Sequence, residues 1–162
     1  KLAARYARKA VEVIAIPYAK ALLPSAAIAL SQIVQEVFGS RSTIRIFETV
    51  PFGGEDDLPD VSSSSPDSIH LVLFDLASTP ESENHGAFLK ALNVQASSRR
   101  PVIALVDCHE FNARFGGTGD RLEQRTKLWR QFLADCGVPC VIGDLAGDGV
   151  EELRRNLELA LA

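Results

Sequence analysis

The chain has no methionine, and it opens on Lys1. We expect a piece of a longer protein. Long apolar runs are lacking as well. None reaches the roughly 18 residues that span a bilayer, because Pro17, Lys20 and Pro24 interrupt the best candidate, residues 11–34. No signal peptide is visible. Three cysteines is an odd count, which excludes a complete internal disulfide framework. Reduced thiols in a cytoplasmic setting are the simpler expectation. Positive charge is not in excess: the net charge of −4 argues against a nucleic-acid partner. No G-x-S-x-G elbow for a serine nucleophile is present.

What is present suits one globular domain over residues 1–162, with 46% hydrophobic and 23% charged residues. The start, KLAARYARK, carries four basic side chains and no acid. It reads as a solvated helix end or as a patch facing an anionic membrane.

Apolar β-rich runs alternate with amphipathic stretches. VEVIAIP predicts a buried strand over 11–17, although Ala, Arg and Lys also let residues 2–16 read as one helix. A helix follows, with Ser25 as its cap, Ala26, Ile28 or Ala29, Ile33, Val37 and Phe38 inward, and Gly39 at its end. Further strands are predicted over 43–50, 69–76, 101–107 and 139–145. Further helices are predicted over 81–97, with Phe88, Leu89, Leu92 and Val94 inward, and over 120–135. The latter is capped by Asp120 and turns Leu122, Leu128, Trp129, Phe132 and Leu133 inward. The last helix starts at a cap on Asp148. Residues 51–68, rich in Ser, Pro and acid, read as a long mobile loop, and HEFNARFGGTG as a shorter one. The order predicts a three-layer doubly wound α/β fold of the Rossmann, flavodoxin or G-domain kind. Its five-stranded, mostly parallel sheet has the order 2-1-3-4-5.

Such sheets bind ligands beyond the carboxyl ends of their strands. At the first of these ends stands YAKALLPS, residues 18–25, with the length of a phosphate loop, G-x-x-x-x-G-K-[ST]. Only Ser25 matches. Leu23 and Pro24 replace the Gly and Lys, and Pro24 removes an amide that could donate to phosphate. The remaining strand ends are acidic, and hard oxygen ligands suit Mg²⁺ better than bare phosphate. The ligand-binding candidates are Tyr18, Lys20, Ser25, Glu48, Asp75, Ser78, Asp107, His109 and Asp144. Glu110 follows His109 at the same edge, and Lys20 is expected to be solvated or paired with an acid such as Glu48. His85 is expected at the surface. Cys108 falls at the top of the sheet and Cys136 and Cys140 at the bottom, so the three cannot share a metal. No catalytic residue and no metal-ligand set is assigned.

FETVPFGG, VIALVDCHEF and VPCVIGDLAGDGVEELRRNL resemble parts of the G domain of small GTPases, without its P-loop Lys or its base-reading residues. IPYAKALLPSAAIAL, FETVPFGGEDD, DLASTPESENHGAFLKAL and VIALVDCHEFNARFG look like a bacterial domain family of unknown function. The resemblance implies the soluble C-terminal part of a multi-helix membrane protein, joined to the membrane by a missing N-terminal region. It also implies a GTPase-like neighbour as partner and a place at the cytoplasmic face of the inner membrane. The expectation is therefore a non-catalytic regulatory or protein-interaction module with a degenerate nucleotide-binding fold and no cofactor. The alternative is a Mg²⁺-dependent enzyme or binder of a nucleotide or phosphorylated ligand at the acidic edge.

Overall fold

The computed structural model of the chain describes residues 11–20, 22–48, 50, 68–81, 84–95, 101–146 and 150–161. The expected loop over 51–68 lies outside them except for Ser68, which is buried at the start of a strand rather than in a loop, and the cap at Asp148 lies outside them too. The elements run β1 (Glu12–Pro17), α1 (Pro24–Phe38), β2 (Thr43–Ile46), β3 (Ser68–Asp75) and α2 (Asn84–Gln95). Then come β4 (Val102–Asp107), α3 (His109–Phe115), α4 (Asp120–Asp135), β5 (Cys140–Gly143) and α5 (Val150–Leu161). Every described strand pair is parallel, and the sheet order is β2-β1-β3-β4-β5. This is the doubly wound arrangement that the sequence order predicts.

Strand β1 sits between β2 and β3, and helices cover its side chains on both faces of the sheet. That explains the unbroken apolar run of its sequence. Alternate residues point to opposite layers. Ile14, Ile16, Val72, Phe74, Ala104 and Val106 pack with Phe88, Leu89 and Leu92 of α2 and with Trp129 and Leu133 of α4. Val13, Ala15, Leu71, Leu73 and Leu105 pack on the other face against Leu30, Ile33 and Val37 of α1 and Leu153 and Leu157 of α5. Each of the Val, Leu, Ile and Phe side chains among them contributes about 1.5–3 kcal/mol of burial. The edges are short: β2 spans four residues, and Val50 rejoins the sheet through an isolated bridge to Tyr18. The expected strand over 43–50 is thus shorter than its sequence suggests.

Several local expectations are corrected. The stretch HEFNARF is not a loop but the helix α3. Glu110 and Arg114 pair at i,i+4, Phe111 is buried, and Gly116 at φ 82° ends the helix. Helices α1 and α4 carry no side-chain cap. Leu23 precedes α1 with Pro24 in its first turn, and Gly119 precedes α4, so Ser25 and Asp120 lie inside their helices. Pro24 fixes the helical φ where no donor is needed, which replaces the role expected of Ser25. Ile28, Val94 and Leu128 face solvent, at 62%, 81% and 46% exposure. Leu30 and Val34 hold inward positions of α1 instead, while Trp129 and Leu133 of α4 are buried as expected.

Candidate functional site

The switch point lies between β1 and β3, whose following helices pack on opposite faces of the sheet. The chain leaving β1 is held on both sides. The Tyr18 amide donates to Leu73 O at 3.0 Å and the Ala19 amide to Val50 O at 2.7 Å. Ala19 then adopts φ 63°, the left-handed region that disfavours a side chain by about 1–2 kcal/mol. Directly after this turn, Lys20 reaches over the end of β3. Its Nζ donates to Asp75 Oδ2 at 2.5 Å and to Glu110 Oε2. Glu110 also accepts from Arg114. A chain of alternating charges, Arg114–Glu110–Lys20–Asp75, therefore crosses the cleft.

The electrostatics follow from these contacts. Burial disfavours the Lys20 charge, but the hydrogen bonds to Asp75 and Glu110 outweigh it and raise its pKa. The Lys20 ammonium lowers that of Glu110 through its hydrogen bond and its charge. Asp107 is raised by burial and by the charges of Asp75 and Asp144, against the amides of His109 and Leu145 that donate to its Oδ1 at 3.1 and 3.3 Å. His109 Nδ1 lies 3.1 Å from Asp144 Oδ1, which also accepts the Ala146 amide at 2.8 Å. Cys108 is pushed up to about 11 by burial and the nearby acids, so its thiol stays protonated at neutral pH.

The cleft brings together Tyr18, Lys20, Ser25, Asp75, Asp107 and His109 from the candidate residues, and Asp144 joins through His109. Glu48 is exposed and lies outside it, so the expected Lys20–Glu48 pair gives way to Asp75 and Glu110. Ser78 stands aside as well. Its hydroxyl donates to Asp75 O at 2.8 Å, and its carbonyl accepts Trp129 Nε1 at 2.9 Å. With Lys20 in place the cleft has a volume of about 60 Å³, room for a few waters. Drug-sized ligands occupy sites of roughly 300–1,000 Å³. The described residues of the cleft do not by themselves fit a divalent ion. Among the described residues no three His, Cys, Asp or Glu side chains converge as donors. Asp75 faces Lys20, Asp107 faces backbone amides, and Asp144 faces His109.

No model of a known protein family matches the chain, and no curated protein matches it. Among the described residues no helix is long and apolar enough to cross a membrane.

Glu110 is the partner that sequence reasoning did not select. Its signal was local: an acid four residues before Arg114 supports a short helix. Arg125 had no such signal. Its Nη1 donates to Leu76 O and Ala77 O, both at 2.9 Å, and ties α4 to the turn after β3.

His85 is also corrected, because it is 2% exposed rather than on the surface. It packs among Tyr18, Phe74 and Trp129, and its Nδ1 accepts the Glu81 amide at 3.0 Å. Burial lowers its pKa below the usual 6.5. The unfolded chain then takes up a proton below about pH 6.5 that the folded chain resists. Stability attributable to this group should fall as pH drops below that point and be complete above it. Denaturation midpoints should show this acid-side loss in the wild type and a shallower one in His85→Leu.

Ser25 makes no capping bond and is exposed. Ser25→Ala should therefore change stability by no more than about 0.5 kcal/mol, measured by urea denaturation. A loss of 1 kcal/mol or more, on the order of a true cap, would restore the capping role.

Proposed function

We propose that the chain is a non-catalytic regulatory or protein-interaction module, built on a nucleotide-binding type of fold whose phosphate position is closed from within. The Lys20 bridge to Asp75 and Glu110 carries this reading. A phosphate-binding lysine needs its ammonium directed at the ligand, with glycine amides around it. Here the ammonium faces two carboxylates, Leu23 stands 57% exposed at the loop, and Pro24 offers no amide. A polyphosphate would have to break both ion pairs and then lie beside Asp75, Asp107 and Glu110. Like charges at that range disfavour it.

On this reading the partner is a protein, such as the GTPase-like neighbour implied by the family resemblance. The meeting place is the cytoplasmic face of a membrane, a surface that the basic run KLAARYARK suits. Thermal denaturation with GTP, ATP or Mg²⁺ tests the closed cleft. A ligand at about 100 times its dissociation constant adds about 2.7 kcal/mol, or roughly 5–10 °C in a chain of this size. No rise is expected. A clear rise with any of the three would overturn the proposal.

A further inference from the structure

The surface between α3 and α4 differs in character from the acidic cleft. Phe111 of α3, 2% exposed, forms the floor of a groove. Phe115 and Leu128, 42% and 46% exposed, stand at its sides. The two phenyl rings have centroids 4.9 Å apart. Over them lie two guanidinium groups, Arg121 at 5.1 Å from the Phe115 centroid and Arg125 at 5.3 Å from that of Phe111. The volume is about 380 Å³. Among the described residues the lining contains two arginines and no carboxylate, in a chain of net charge −4. Among the described residues Arg121 has no carboxylate partner.

We propose that this groove docks an acidic amphipathic segment of a partner protein, an inference that rests on the binding-module reading. The chemistry is specific on two counts. A bulky apolar side chain fills the hollow over Phe111 between Phe115 and Leu128. Carboxylates beside that anchor meet Arg121 and the outer edge of Arg125 as charge-assisted hydrogen bonds. Arg125 is already oriented by its bonds to Leu76 O and Ala77 O, so its charge is presented without loss of side-chain freedom. Aromatic and arginine side chains are also the types that dominate binding energy at protein interfaces. An anionic bilayer is the poorer occupant. Its surface is flat, Phe111 is recessed, and two cations fall short of the roughly four to eight that hold a segment to anionic lipid.

The test is fluorescence anisotropy with a fluorescein-labelled helical peptide of Glu, Leu and Phe, together with its counterpart in which Lys replaces every Glu. The acidic peptide should bind saturably and the basic one should not. Arg121→Glu and Phe115→Ala each alter an exposed side chain, and circular dichroism verifies their folding. Each should weaken binding by about tenfold or more. Lys127→Glu makes the same charge change on an exposed α4 position outside the groove lining, and should stay within about twofold of wild type. No saturable binding up to about 1 mM would overturn the proposal. So would equal binding of both peptides, or an Arg121→Glu loss no larger than that of Lys127→Glu. Binding to phosphatidylserine vesicles, lost in Arg121→Glu and without peptide binding, would overturn it in favour of a lipid surface. A nucleotide response bears on the module reading alone, and failure of both peptides bears on the groove alone.

Discussion

Trp129→Ala should lower stability by about 3–5 kcal/mol, the range for removing a fully buried aromatic ring. The indole is 0% exposed and packs against Phe74, His85 and Phe132, with ring centroids 5.1, 5.6 and 6.1 Å away. Its Nε1 donates to Ser78 O, in the turn that follows Asp75. The substitution therefore opens a cavity under α4 and unties the β3–α2 turn together. Trp129→Phe separates the two effects. It keeps most of the ring contacts and loses the hydrogen bond, for a net cost nearer 1 kcal/mol. Trp129 is the sole tryptophan of the chain, so urea denaturation followed by circular dichroism is the suitable measurement. A Trp129→Ala loss under 1 kcal/mol would mean that the α4 layer does not pack on the sheet as described.

Gly143→Ala should cost about 1–3 kcal/mol through overpacking, although the residue adds one methyl group. A Cβ at Gly143 would lie 2.7 Å from Leu153 Cδ1 and 3.0 Å from Leu153 Cβ. The Cδ1 contact could be relieved by a rotamer change, but the Cβ contact fixes the position of α5 itself. Leu153 is 1% exposed, so it has little room to move. The strain falls next to the site. The Gly143 carbonyl accepts the Cys108 amide at 3.0 Å, and Asp144 follows directly with its contact to His109. Combining Gly143→Ala with Leu153→Ala should cost less than the two single losses added together, because the second change makes room for the first. Strict additivity would show that β5 and α5 do not meet at this point.

The layer architecture was legible because the buried strands carry it on their own. VEVIAIP, IHLVLFDL and PVIALVD lack the polar alternation of an exposed sheet, and that property requires helices on both faces. Helix interiors were less legible. The 3.6-residue period allows two adjacent faces in a short helix, and packing chose Leu30 and Val34 over Ile28, and kept Trp129 inward while leaving Leu128 outside. The glycines after β4 make that stretch look like a loop in sequence, yet they stop α3 rather than prevent it.

The site was half legible. Knowing the strand ends was enough to select Lys20, Asp75, Asp107, His109 and Asp144, since topology brings those ends together. It could not select the pairing. Lys20 and Glu110 are 90 residues apart in sequence, and their contact depends on α3 starting immediately beyond Cys108. Nor could it tell that His85 turns into the aromatic layer, because nothing near it in sequence sets it apart from an exposed histidine.

Isothermal titration of the wild type and Lys20→Ala with GTP, ATP and their diphosphates, with and without Mg²⁺, tests the closed cleft most directly. Neither protein should bind. In the wild type Lys20 is held by Asp75 and Glu110. In the variant the acids remain, and YAKALLPS still lacks the glycine amides of a phosphate cradle. Micromolar nucleotide binding by the wild type, abolished in Lys20→Ala, would contradict this. It would mean that the lysine leaves its carboxylates to meet a phosphate, and that the loop is a working phosphate site.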